Sequence, residues 1–210
     1  MKKLLYIQAS PRVERSYSRA IADAFIETYK KNNPDDKIVT LDLFKMELPA
    51  FDGLTIQAKY SIMHGQEHSQ EEKKAWNAVE RIIEEFKSAD KYMFAVPMWN
   101  FGIPYRLKQY FDVIAQPGYT FSFSPEEGYK GLVTGKPAVV VYSRGGEYAE
   151  GSETAAYDQQ TKYMGQILGF IGLTDIHPII VEPTLASGPD TADEAKKQAL
   201  AKAKTIGSNF

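Results

Sequence analysis

The sequence predicts a three-layer α/β domain in which helices cover both faces of a parallel sheet. Three observations carry this. Apolar runs of strand length alternate with amphipathic stretches of helical period. The runs are apolar at nearly every position, not every second one. No Gly/Ser or Pro-rich linker divides the 210 residues. Strands that are apolar on both faces must be covered on both, which crossover helices achieve. At 43% hydrophobic residues the chain can bury one good core, so residues 1–210 read as one domain.

The first element is a buried strand over residues 3–9, built on Leu4-Leu5-Tyr6-Ile7. A helix over 16–31 sets Ile21, Ala24, Phe25 and Thr28 at helical spacing, and a strand over 37–43 completes a βαβ start. Residues 44–67 read as irregular. Ser69 then heads a helix to about residue 88, with Trp76, Val79, Ile82, Ile83 and Phe86 on one face. The third strand covers 91–97 and the next helix 103–115. Residues 117–135, rich in Gly, Tyr, Phe and Ser, read as a long excursion with short strands. A fourth strand over 138–142, a helix over 154–169, a fifth strand over 174–181 and a helix over 191–203 complete the order. There is no internal repeat or low-complexity tract.

Composition excludes several classes of function. A net charge of -2, with 25 basic residues interleaved among 27 acidic ones, leaves no nucleic-acid footprint. The absence of cysteine excludes disulfides, thiolate catalysis and iron-sulfur clusters. No apolar run is long enough for a membrane span, and the N-terminus lacks a signal-peptide core, so a soluble cytoplasmic protein is expected. Gly131-Leu132-Val133-Thr134-Gly135-Lys136 has one residue too few between its glycines for a phosphate-binding Walker loop, and Pro137 stands where Ser or Thr is required. No Gly-x-Gly-x-x-Gly follows the first strand, and no Gly-x-Ser-x-Gly elbow is present. A bound mononucleotide is the better expectation. His64-Gly65-Gln66-Glu67-His68 matches an inverted zinc-protease pattern, but Gly65 and its polar, irregular surroundings favour a solvated loop, and no metal site is expected. His177 reads as structural.

Position is the strongest clue to function. The strands ending near Ala9, Val96 and Tyr142 are each followed by a segment suited to binding: residues 10–18, 97–101 and 143–146. In an open parallel sheet the ligand crevice lies beyond the carboxyl ends of the strands, where strand order reverses. A flavodoxin-like order 2-1-3-4-5 places the first, third and fourth strands side by side there. Three separate loops then meet at one cleft.

Each loop has its own chemistry. Ser16 and Ser18 open the first helix, where unpaired N–H groups and the helix dipole attract an anion. Ser10 adds a hydroxyl, and Arg12, Arg15 and Arg19 lie close enough to offset phosphate charge. Ser16 reads equally as a plain N-cap. Pro97-Met98-Trp99-Asn100-Phe101-Gly102-Ile103-Pro104 is stiffened by proline at both ends. It offers flat faces at Trp99 and Phe101 and a donating and accepting amide at Asn100, or else it is a turn whose aromatics cap the core. Gly145 and Gly146 permit close backbone approach to a planar ring, though alone they read as a turn.

Taken together, Ser10 with Ser16-Tyr17-Ser18, Pro97-Met98-Trp99-Asn100-Phe101, Leu107-Lys108-Gln109-Tyr110-Phe111-Asp112, Gly118-Tyr119-Thr120-Phe121, residues 131–136 and Ser143-Arg144-Gly145-Gly146 closely resemble the FMN-dependent NADH-azoreductases. The resemblance spans nearly the whole chain, through Leu168-Gly169-Phe170-Ile171-Gly172. It implies a flavodoxin-like homodimer that reduces azo compounds and quinones. Ser10, Ser16, Tyr17 and Ser18 would hold the FMN phosphate. Met98, Trp99, Asn100 and Phe101 would contact the ribityl chain and isoalloxazine, and Ser143, Arg144, Gly145 and Gly146 the ring's polar edge. Trp99 stands where the family has Tyr, and Tyr17 where it has a small or polar residue.

The resemblance also implies ping-pong chemistry in which NADH or NADPH passes hydride to flavin N5 and an electron-poor acceptor follows it into the same place. No protein nucleophile is needed, and no residue is assigned as catalytic. Trp99, Tyr119, Phe121 and Phe123 would wall the acceptor pocket. Phe170 would enter from the partner subunit or pack in the core. The competing class is a flavodoxin-type electron carrier. Such carriers usually bear a strongly acidic face, whereas this chain is near neutral and carries an extra aromatic segment at 117–130.

Overall fold

The computed structural model describes residues 1–210. Five parallel strands form the sheet: β1 (Lys3–Gln8), β2 (Lys37–Asp42), β3 (Lys91–Pro97), β6 (Ala138–Ser143) and β7 (Ile176–Val181). A hairpin of β4 (Phe121–Ser124) and β5 (Gly128–Gly131) stands apart from them. The helices are α1 (Tyr17–Asn32), α2 (Gly53–Met63), α3 (Gln70–Lys87), α4 (Tyr105–Ile114), α5 (Gln159–Ile171) and α6 (Gly188–Asn209). The sheet runs β2-β1-β3-β6-β7, which is 2-1-3-4-5 when only its own strands are counted. Leu5 pairs with Val39 on one side and Tyr92 on the other, and Val140 joins Phe94 to Pro178.

Successive side chains along a strand point to opposite faces, so each buried strand supplies two cores. Leu5, Ile7, Phe94, Val96, Val140 and Tyr142 pack beneath α3, α4 and α5. Leu4, Tyr6, Met93, Ala95, Val139 and Val141 pack beneath α1 and α6. The near-continuous apolar runs in the sequence are the signature of this double burial. Helix α3 starts at a complete capping box. The Ser69 hydroxyl accepts from Glu72 N at 3.1 Å and the Glu72 carboxylate accepts from Ser69 N at 2.7 Å, a device worth about 1 kcal/mol.

Three expectations are corrected. Residues 44–67 are not wholly irregular, because α2 forms with Asp52 as its cap, accepting from Thr55 N at 3.1 Å. Its pattern hides it: the buried positions are Thr55, Ala58 and Ser61, while Leu54, Tyr60 and Met63 are exposed. The helix expected from 154 begins at Gln159, since Ala155–Tyr157 make only a 3-10 turn and Asp158 caps α5. The last helix runs past Ala203 to Asn209, because the small face of Ala199, Ala203 and Gly207 lies close against α1. A Cβ at Gly207 would stand 2.8 Å from the Phe25 carbonyl oxygen. No helix is long and apolar enough to cross a membrane.

Candidate functional site

The carboxyl ends of β1, β3 and β6 lie side by side, with Gln8 opposite Ala95 and Pro97 opposite Ser143. Beyond them opens a cleft of about 370 Å³ whose walls include Ser10, Ser16, Tyr17, Met98, Trp99 and Gly145. The three expected loops therefore do converge. A fourth joins them: Thr184 and Leu185, after β7, also line the cleft and were not expected. Neither carries a local motif that marks it.

In the first loop the two readings of Ser16 coexist. Its hydroxyl caps α1 by accepting from Arg19 N, but at a long 3.4 Å, and lies 3.3 Å from the Ser18 hydroxyl. Both serines are buried, and the first amides of α1 have no partner within the helix. Arg19 does not join them. Its guanidinium turns to the Ser10 carbonyl at 3.4 Å and to Asp42 at 3.3 Å, while Arg12 and Arg15 remain at the cleft.

The second loop is a tight reversal. Trp99 and Gly102 exchange backbone hydrogen bonds of 3.0 and 2.9 Å around Asn100 at φ +45° and Phe101 at φ +70°. Left-handed backbone at an aromatic residue costs about 1–2 kcal/mol, and strain of this kind clusters at ligand sites. Two contacts hold Phe101 there. Its ring stacks on Tyr157 with centroids 5.2 Å apart, and its carbonyl accepts from Gln159 N at 3.1 Å. Met98 N donates to the Ser143 carbonyl at 2.8 Å, tying this loop to the third. Trp99 packs with Phe44 and Tyr105 at centroid distances of 5.8 and 6.1 Å, so its indole is braced from the β2 side.

In the third loop the side chain of Arg144 faces away from the cleft, contrary to the sequence reading. The guanidinium lies under the loop between Asp158 and Glu182, at 2.9 and 3.1 Å, and its Nε donates to Gln160 at 3.1 Å. A charged residue beside two glycines looks like a ligand contact, but here it braces the loop from below. Ser143 and Gly145 stay on the cleft side. The Gly145 carbonyl accepts from Leu185 N and Ala186 N, at 3.0 and 2.9 Å, which fixes the strand-end backbone.

Tyr119, Phe121, Phe123 and Phe170 do not line the cleft with Trp99. Phe121 and Phe170 pack together at 4.6 Å, and Tyr129 joins both. The Tyr119 hydroxyl donates to Glu80 at 2.6 Å and accepts from the buried Trp76 indole at 3.2 Å. Burial first, and the Glu80 carboxylate second, push its pKa above the ordinary tyrosine value. Tyr119→Phe is expected to lower stability by about 1 kcal/mol, because the Trp76 N–H loses its acceptor. A shift of Trp76 fluorescence alongside denaturant unfolding would check it. His64 caps the end of α2, Gly65 at φ +63° turns the chain, and His68 lies near the Gln66 carbonyl at 3.3 Å. His177 pairs with Asp175 at 3.0 Å on the rim of the sheet.

A doubly wound parallel sheet with a serine-capped helix and a strained aromatic loop at its switch point defines a flavodoxin-like nucleotide-binding protein. Residues 2–206 match the family model described as a flavodoxin-like fold, and the chain belongs to that family. Among curated relatives, it is 50% identical over 210 residues to the FMN-dependent NADH:quinone oxidoreductase of Nitratidesulfovibrio vulgaris strain Hildenborough, with 100% of both chains covered. Its fold matches the crystal structure of an azoreductase from Bacillus anthracis str. Sterne with a TM-score of 0.92, at 33% identity and full coverage of both chains. An FMN-dependent NADH-azoreductase from Bacillus anthracis str. Ames Ancestor, solved in complex with FMN, matches with a TM-score of 0.87 at 28% identity, covering 99% of this chain and 100% of that one.

FMN fits the residues present. Ser16 and Ser18 are buried hydroxyls beside the unpaired first amides of α1, a donor set for one phosphate. At the other end of the cleft Gly145 has no side chain of its own and lies against Leu185, whose Cδ1 a Cβ there would meet at 3.3 Å, and both residues line the cleft.

Proposed function

We propose that this chain is an FMN-dependent NADH:quinone oxidoreductase that also reduces azo compounds. The observation that carries the reading is the convergence of three strand-end loops on one cleft, in a chain matched over its full length by relatives of that activity. Bound FMN supplies the two-electron relay between NADH and the acceptor. The first amides of α1, with the hydroxyls of Ser10, Ser16 and Ser18 and the backbone of Tyr17, bind the phosphate. Met98, Trp99, Asn100 and Phe101 hold the ribityl chain and one side of the ring, and the loop strain at Asn100 and Phe101 fixes those contacts before binding. Backbone N–H groups at Gly145 and Gly146 stabilise negative charge at the ring's polar edge, as oxyanion-hole donors do. Ser143 and the Arg144 backbone complete that edge.

The protein acts as a homodimer in the cytoplasm, on this reading. In that dimer Phe123 and Tyr129 of the hairpin, with Tyr119, Phe121 and Phe170, wall the acceptor site of a partner subunit beside Trp99, a reading supported by the exposure of Phe123 and Tyr129 outside the cleft. The electron-carrier reading is not favoured, since the relatives are oxidoreductases with their own small-molecule acceptors.

The test begins with the visible spectrum and identification of the released cofactor. NADH added without air should bleach the FMN bands, and a quinone should restore them. Flavin that responds only to a protein partner would return the carrier reading. Gly145→Ala should fold normally, since the added methyl meets only a flexible side chain at 3.3 Å, yet weaken FMN binding by roughly tenfold by displacing Leu185, which also lines the cleft. Unchanged flavin content in that variant would remove Gly145 from the site.

A further inference from the structure

Behind the third binding loop, on the side away from the cleft, three charges lie together in near-complete burial. The Arg144 guanidinium stands 2.9 Å from Asp158 and 3.1 Å from Glu182, and the three side chains are only 1%, 11% and 13% exposed. Two carboxylates face one cation, so the group carries an excess of negative charge. The other two charges that line the cavity beside it, Glu150 and Lys162, are exposed and opposite in sign, and leave that excess unchanged.

The excess sits against the loop itself. The Glu182 carboxylate accepts from Tyr148 N at 3.1 Å as well as from Arg144, so it closes residues 144–148 from behind, and Gly145 and Gly146 lie inside that span. Asp158 adds its charge from the start of α5, where it also accepts from Thr161 N at 2.9 Å. The positive end of that helix offsets part of the Asp158 charge, which makes Glu182 the stronger source. Away from solvent such charges act through the protein with little screening. The backbone N–H groups of Gly145 and Gly146 are those that the flavin reading gives to negative charge at the ring's polar edge. Fixed negative charge behind the same backbone opposes it.

We infer that Arg144, Asp158 and Glu182 set the reduction potential of the bound flavin, holding it below the value that the N–H groups of the loop alone would give. The inference rests on the flavin reading and adds to it three positioning residues that act through the loop. A lower potential makes the loaded protein a stronger electron donor to its acceptor and leaves less driving force for the step from NADH.

The test is the midpoint potential of the FMN-loaded protein, measured against a dye of known potential. Glu182→Gln and Asp158→Asn keep the shape and an acceptor oxygen while removing one negative charge. Glu182→Gln should favour the reduced form roughly tenfold, which is about 30 mV for a two-electron couple, and Asp158→Asn should favour it by less. Arg144→Met removes the cation and should shift the potential the opposite way. Arg144→Lys loses the planar fork but keeps the charge, so stability falls while the potential stays close to that of the wild type. A loop that was merely loosened would move every destabilised variant in one direction, whatever the sign of the charge removed. Displacement of Glu182→Gln and Arg144→Met to the same side of the wild type would therefore overturn the inference, as would a shift of less than threefold in Glu182→Gln. If Arg144→Met sheds its flavin, the two amide variants set against Arg144→Lys decide. Failure of the wild type to take up FMN would strike the flavin reading and this inference with it, whereas bound flavin with an unmoved potential strikes the inference alone.

Discussion

Replacing Arg144 with methionine is expected to lower the free energy of unfolding by about 3–5 kcal/mol, the usual cost of removing one partner from a buried charge network. The side chain of Arg144 is 1% exposed, and those of Asp158 and Glu182 are 11% and 13% exposed. Methionine refills the stem volume between the Tyr142 and Tyr148 rings but leaves both carboxylates without their cation. Against a total of roughly 5–15 kcal/mol for a domain, this loss is large. It should also reach the cleft. Gln160, held by Arg144, donates to the Val96 carbonyl at 2.9 Å, and Glu182 accepts from Tyr148 N at 3.1 Å, so one guanidinium joins the ends of β3, β6 and β7. Urea unfolding measures the stability, and flavin retention measures the loop. Adding Asp158→Asn and Glu182→Gln to the methionine variant should recover part of the loss, because neutral amides are cheaper to bury unpaired than carboxylates. A single-variant loss under 1 kcal/mol would mean that the two carboxylates find other partners or water.

Arg144 also shows where sequence reasoning stops. The sheet was legible because strands buried on both faces cannot hide their composition, and the flavodoxin-like order expected for it, which brings the loops after the first, third and fourth strands together, is the order observed. Arg144 itself looked like a ligand contact because nothing local announces Asp158 and Glu182, which arrive from 14 and 38 residues further along the chain. The same holds for Arg19, claimed by Asp42. Helix α2 was missed because its buried face is made of Thr55, Ala58 and Ser61, the reverse of an amphipathic pattern. The left-handed pair Asn100 and Phe101 has no glycine to signal it, and depends on Tyr157 and Gln159, more than fifty residues away in sequence, to hold it. Aromatic composition at 117–130 does indicate a special surface. It does not say that Tyr119 is drawn toward α3 and Phe121 toward α5.

That hairpin is where the second large effect is expected, at Gly131. A Cβ added there would stand 2.3 Å from Gly172 N, 2.5 Å from Gly172 Cα and 2.6 Å from Ile171 C. All three are backbone atoms at the end of α5, so no side-chain rotation relieves the overlap. The approach is close because Val133 N donates to the Ile171 carbonyl at 2.9 Å, while Gly172 ends the helix at φ +107°. Gly131→Ala must therefore lift the hairpin off α5, separating Phe121 and Tyr129 from Phe170. We expect a loss of about 3 kcal/mol, at the upper end for overpacking. Gly128→Ala is the informative comparison. Gly128 sits in the same hairpin at φ +71° with open space around its missing Cβ, so its substitution carries only the backbone strain of about 1–2 kcal/mol. If close approach is what Gly131 provides, Gly131→Ala is the more destabilising of the two, and it raises the KM for quinone several-fold while FMN affinity stays unchanged, since neither residue lines the flavin cleft. Equal losses in the two variants would mean that α5 and the hairpin separate at little cost. A quinone KM unmoved by Gly131→Ala would then place the acceptor elsewhere than against the aromatic hairpin.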